Sequence, residues 1–165
     1  MNLIELLTRE MEREAVTTRK FLNIVPTDKF DWKPHPKSMS LKQLSTHLAE
    51  LPEWADIAVK TDGIDFATMD YKPKDAATTQ DLLDILEDSL QKGLAALRST
   101  NEEFLNKTWT MRNGEMLISE DSKGDMVRIC ISQTIHHRAQ LGVFLRLLDI
   151  PIPGSYGPSA DEMNF

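Results

Sequence analysis

Two histidines, a glutamine and an arginine carry the chemistry that can be read from this chain. His137 and Gln133 stand four residues apart in the segment 122–149, SKGDMVRICISQTIHHRAQLGVFLRLLD. Met126, Cys130, Gln133, His137, Leu141, Phe144 and Leu148 recur there at intervals of three or four, the spacing of one helix face. Gln133 and His137 therefore lie one above the other in an otherwise apolar stripe. A polar pair facing a core needs partners, because an unpaired buried polar group costs on the order of 1–3 kcal/mol. His47 sits on a second stripe with Leu44, Leu51, Trp54 and Ala58, and points where the leucines point. Packed helices lie about 8–10 Å apart, so inward imidazoles on two of them are able to share a small ligand or a metal ion. Imidazole suits Zn, Ni, Cu and Fe(II). Two histidines so distant in sequence also fit a plainer reading, a pair of core side chains satisfied by hydrogen bonds.

The neighbouring residues support this pair. His136 is offset by about 100° from His137 on a helix, so it stands behind the site or at a helix boundary. Arg138 belongs at the rim, where it holds an anionic group or pairs with a carboxylate at a surface. Trp54 is a core residue or the wall of a ligand pocket. Tyr156 reads as a packed anchor of the C-terminal tail rather than a catalytic phenol. Asp161 and Glu162 read as a solvated tail without a role. His35, between Pro34 and Pro36, is expected on an exposed loop. Cys130, the lone cysteine, cannot form an internal disulfide and reads as a small buried filler, which fits a reducing cytoplasm.

Four amphipathic helices position these residues. The first spans 2–24, with Leu3, Leu6, Leu7, Met11, Ala15, Thr18, Phe21 and Leu22 on its stripe, and Pro26 ends it. A connection follows in which Phe30 and Trp32 pin the chain to the helices. Ser40 and Gln43 form a capping box at the head of a second helix that runs to about Lys60 and kinks at Pro52. The stretch 61–78 reads as a long surface connection. Thr78 caps a third helix ending near Ser99, with Leu82, Leu83, Leu86, Leu90, Leu94 and Leu97 inward. Asn113-Gly114 signals a type I′ turn, and hence a short hairpin or an ordered loop, before the fourth helix. Pro151, Pro153, Gly154, Gly157 and Pro158 exclude helix in the tail. The pattern is all-α: a four-helix bundle in one domain, 1–165, with long crossover connections.

The chain has 165 residues, 41% of them hydrophobic, enough for a sizeable core. Its net charge of -7 argues against general affinity for nucleic acid or an anionic membrane. It has no apolar run of about 18 residues that would span a membrane. The N-terminus lacks the basic-then-apolar order of a secretory signal.

His47 in LSTHLAELPEWA, the run IHHRAQLGVFLRLLDIPIP, the tail GSYGPSADE and the stretch WKPHPKSMSLKQL resemble the DinB/YfiT-like family, over essentially the whole chain. The resemblance implies a four-helix bundle, often a homodimer, from a damage-inducible group of proteins. It also implies a divalent metal, nickel or zinc, held by three histidines. One matches His47 and another matches His137. The remaining position falls on Gln133, whose amide is a weaker, oxygen-type donor than imidazole. Some members are hydrolases or thiol-dependent transferases. The chain therefore admits a metal-dependent enzyme of one of these classes, a non-catalytic small-ligand-binding bundle with a degenerate, metal-free site, or a purely structural bundle. It does not name a substrate.

Overall fold

The structure, a computed structural model, describes residues 2–69, 72 and 74–163. Helix α1, Leu3–Asn23, opens on a capping box in which Asn2 and Glu5 satisfy each other's backbone N–H groups. Helix α2, Leu41–Glu50, opens on the expected Ser40–Gln43 box. The kink anticipated at Pro52 is a full break. Helix α2 stops at Glu50 and α3, Glu53–Lys60, begins after the proline, which has no N–H to continue the ladder. Helix α4, Thr79–Ser99, is capped by Thr78. A short helix α5, Glu102–Leu105, and a 3-10 turn at Thr27–Lys29 are additions to the sequence reading. Helix α6, Lys123–Leu147, is capped by Ser122.

A small sheet lies among the helices. Strand β1, Gly63–Asp65, pairs in parallel with β2, Thr108–Asn113, and β2 pairs antiparallel with β3, Met116–Ser122, in the order β1-β2-β3. The stretch after α3 is thus partly strand rather than only surface connection, and the fold is mostly helical rather than all-α. The hairpin is present, but its two loop residues are Gly114 and Glu115, one position later than anticipated. Of these only Gly114 has positive φ, +60°. That excludes type I′, which needs two such residues, and fits II′, with glycine first. Buried Trp109 on β2 donates its indole N–H to Thr61 Oγ1 at 3.1 Å, fastening the sheet to the end of α3.

Helix α4 packs against α1, α2 and α3, and α6 packs against the same three. The core has two clusters. One joins α1, α3, α4, β2 and the first half of α6 through Met11, Ala58, Leu97, Trp109 and Val127. The other joins α1, α2, α4 and the second half of α6 through Leu22, Leu44, Leu86 and Leu145. Trp54 packs against both. Phe30 is buried and Trp32 meets Phe144 edge-on at 5.6 Å, so this connection is pinned as anticipated. Lys123, fully buried, donates its ammonium to the carbonyls of Ala58 and Thr61 and lies 3.1 Å from Asp62 Oδ1. It satisfies C-terminal carbonyls of α3 that have no partner within the helix. Helix α6 ends with Asp149 in the left-handed region, φ 58°, while Ile150 N–H bonds Leu145 O. This terminal motif turns the chain back along α6.

Helix α4 approaches the α2–α3 break closely at Gly93. A Cβ there would lie 2.3 Å from Pro52 O and 3.2 Å from Met11 Sδ. Gly93→Ala should therefore destabilise the protein by on the order of 1–3 kcal/mol, although alanine is the better helix former. A denaturation midpoint unchanged or raised by the substitution would contradict this packing.

Candidate functional site

Helix α2 presents His47 and α6 presents His137, each half-buried at the margin of the core. Their rings meet edge-to-face with centroids 4.8 Å apart. Exposed His136 also meets His137 edge-on, with centroids 4.9 Å apart, so His137 touches both other imidazoles. Burial lowers the pKa of His47, and neighbouring His137 lowers it further. For His137, burial again dominates. Its hydrogen bond to Gln140 opposes that shift, and His136 adds to it. His137 Nδ1 lies 2.8 Å from Gln140 Oε1. An amide oxygen accepts, so the ring proton sits on Nδ1 and the lone pair is left on Nε2. Among the described residues, no group of three or more His, Cys, Asp or Glu is arranged to hold a metal ion.

Two expectations about α6 are corrected. Gln133 does not face the core; it is exposed. Arg138 is not at the rim; it is 2% exposed. Met126, Cys130 and Leu141 of the expected stripe are buried, but between them the buried face runs through Ile131, Thr134 and Arg138 rather than through Gln133 and His137. Arg138 there faces Glu14 on α1, itself buried. Its carboxylate makes a 2.6 Å ion contact with Arg138 Nη2. Arg138 Nη1 donates to Glu14 O at 3.1 Å and to Thr18 Oγ1 at 3.2 Å. Tyr156 closes the arrangement: its hydroxyl donates to Glu14 Oε1 at 2.8 Å and accepts from Arg138 Nη2 at 3.1 Å. Burial and the bond to Glu14 raise the Tyr156 pKa. Arg138 thus faces α1 and the tail. Trp54, only partly buried, packs against the core.

Tyr156 anchors the tail through its hydroxyl, but its ring is not packed as anticipated: the residue is 69% exposed. Asp161 and Glu162, by contrast, organise the tail. Asp161 pairs with Arg146 and accepts the N–H of Ile152, and Glu162 accepts the N–H of Gly154 at 2.6 Å. The sequence reading also passed over Glu14 and Glu50. Each left a signal: Glu14 lies three residues after Met11 on the α1 stripe, and Glu50 one turn after His47. Glu50 is 5% exposed and accepts the N–H of Lys74. With His47, Thr46, Gln43 and Lys42 it lines a groove of about 620 Å³ between α2 and residues 74–75. His35 is exposed, as expected. Cys130 is buried and its thiol is pushed up to about 12 by desolvation, so it is inert.

Removing one member of a buried ion pair leaves the other charge uncompensated. Arg138→Met should cost about 3–5 kcal/mol, and pairing it with Glu14→Gln should recover a large part of that loss in denaturant unfolding. An additive double mutant would show that the two do not act as a pair. The histidines give a pH dependence. Their folded-state pKa values lie below the ordinary value of about 6.5. Their contribution to stability is fully present above that value and is lost as pH falls through the lower folded-state values, because the unfolded chain then binds protons first. With EDTA present, the melting temperature should fall more steeply below pH 6.5 than in His47→Gln/His137→Gln. Parallel curves would contradict it.

Comparisons with known proteins agree with this architecture. The solved structure of a DinB-like protein from Bacillus subtilis superposes with a TM-score of 0.68 at 16% identity, covering 96% of this chain and 99% of that one. A DinB-like protein from Bacillus cereus ATCC 10987 gives 0.69 at 17% identity, covering 92% and 97%. At such identities the likeness speaks for the fold alone. No curated protein matches the chain. The sequence profile of the DinB family matches residues 1–164, and the chain belongs to that family.

Proposed function

We propose that His47 and His137 hold a divalent ion, nickel or zinc, with Gln133 as a third and weaker donor, and that the protein is a metal-dependent hydrolase or thiol-dependent transferase. The observation that carries this reading is the 4.8 Å separation of the two ring centroids. With metal–nitrogen bonds of 2.0–2.1 Å, two imidazoles on one ion have centroids about 5 Å apart. Lowered pKa values keep both rings neutral at pH 7, the state in which imidazole is a ligand. Gln140 fixes the tautomer that leaves His137 Nε2 free to ligate. Gln133 lies one turn before His137 and is exposed, so its amide oxygen is able to approach from the solvent side. A bound ion would supply a water or thiol of lowered pKa. The groove beside His47 offers room for a small substrate.

A second reading, a non-catalytic ligand-binding protein with a metal-free site, is favoured by the same Gln133, because an exposed amide is a poor substitute for imidazole. On either reading we take α1, α2–α3, α4 and α6 as a four-helix bundle in one domain, in a damage-inducible, cytoplasmic homodimer with no nucleic-acid or membrane partner. Family membership and the acidic net charge support that picture.

Elemental analysis of gently purified, untagged protein separates the two readings. Near-stoichiometric nickel or zinc in the parent, lost in His137→Ala and bound more tightly in Gln133→His, is the expected result. Metal in Gln133→His but none in the parent would transfer the assignment to the ligand-binding reading. Absence from both proteins would dispose of the centre altogether.

A further inference from the structure

One motif of the chain takes no part in the histidine site. Asn113-Gly114 is the only asparagine followed by glycine in the sequence. Asn113 is exposed at the end of β2, where it pairs with Met116, and Gly114 opens the two-residue loop at φ +60°. Asparagine before glycine is chemically unstable in water. The glycine backbone nitrogen attacks the asparagine Cγ, a five-membered succinimide closes, and water later opens it to aspartate or isoaspartate. A side chain on the following residue hinders the attack, and glycine has none. Around Gly114 the space is open even where a Cβ would stand, the nearest atom being Ala67 Cβ at 3.8 Å.

The structure holds this reaction back at its nucleophile. Gly114 N–H donates to Asp65 Oδ1 at 2.8 Å. The attacking nitrogen must lose that proton, and the adjacent negative charge opposes the amide anion that would remain. The nitrogen must also swing towards Cγ by rotation about the Asn113 Cα–C bond, which breaks the hydrogen bond. Asp65 is itself fixed in place. The same Oδ1 accepts the N–H of Ala67 at 2.9 Å, and Phe66 N–H bonds Arg112 O at 2.9 Å. The bonds to Gly114 and Ala67 hold the Asp65 carboxyl below its ordinary range, so it stays ionised.

We propose that Asn113 is a deamidation site and that Asp65 guards it by keeping the Gly114 nitrogen out of reaction. In the guarded step the Gly114 N–Cγ bond forms and the Cγ–Nδ2 bond breaks. The Gly114 proton passes to solvent, Nδ2 departs as ammonia, and water supplies the oxygen of the new carboxylate. Conversion adds a negative charge close to Asp65, and the isoaspartyl product lengthens the backbone by one methylene between β2 and its loop. The test incubates the full chain in mildly alkaline buffer and follows residue 113 by peptide mass spectrometry, with the guanidinium-unfolded chain giving the unguarded rate. Asn113 in the folded parent should convert at least tenfold more slowly than in the unfolded chain. Asp65→Ala should raise the folded rate at least fivefold. Asp65→Asn, which keeps an acceptor without the charge, should raise it less, and carries the test if Asp65→Ala does not fold. Thr61→Val removes the fastening of Trp109 and leaves Asp65 in place, so its rate should stay near the parent's; melting temperatures report that each variant is folded. A folded parent as fast as the unfolded chain, folded Asp65 variants at the parent's rate, or equal acceleration by Thr61→Val would each overturn the proposal.

Discussion

The rotation of α6 about its own axis depends on one buried ion pair. Glu14 and Arg138 come from helices more than a hundred residues apart in the chain, and both are almost wholly withdrawn from water. Two such charges are costly to desolvate, and the cost is met only if geometry and extra hydrogen bonds are good. Here the Glu14 carbonyl, the Thr18 hydroxyl and the Tyr156 phenol supply them. Once Arg138 must face α1, the direction of every other α6 side chain follows. Gln133 turns to solvent, His137 comes to the margin beside His47, and Ala139, Val143 and Leu147 face outward. With Arg138 held in this way, His137 is left beside His47.

Much of the helical framework was legible in the chain. The capping box at Ser40 and the leucine stripe after Thr78 place the starts of two helices to within a residue. The nearness of His47 and His137, ninety positions apart, was anticipated from two inward stripes, although His137 lies at the margin of the buried face and not in its middle. What periodicity could not supply was the phase of α6. A helix rich in residues that are apolar or only weakly polar on several sides admits more than one inward face, and the choice rested on a carboxylate in another helix. A stripe drawn by hydrophobicity skips both Glu14 and Arg138, the two residues that decide the matter. Of the small sheet, the hairpin was anticipated and only β1 escaped notice, for a related reason. Strand β1 is three residues long, too short to show alternation, and exists because β2 offers it an edge.

The tail shows how short-range chemistry substitutes for secondary structure. Rich in proline and glycine, residues 150–163 cannot form a helix. Their backbone groups are instead met by side chains: Asp161 on Ile152, Glu162 on Gly154, Ser159 on Ile152 and on the N–H groups of Asp161 and Glu162. Two carboxylates that looked like solvated decoration hold the tail's shape. Beside the cations Arg146 and Lys20, their partners are the backbone amides of Ile152 and Gly154, which no pattern of residue types displays.

Cys130 has a practical bearing. It is the only cysteine in the chain, it is closed off in the core, and its thiol stays protonated far above neutral pH. A single cysteine introduced on the tail or on the outer face of α6 would accept a maleimide or a nitroxide alone, without first stripping out a native thiol. The protein is thus already a cysteine-silent background in which fluorescent or spin labels can track the distance between tail and helix.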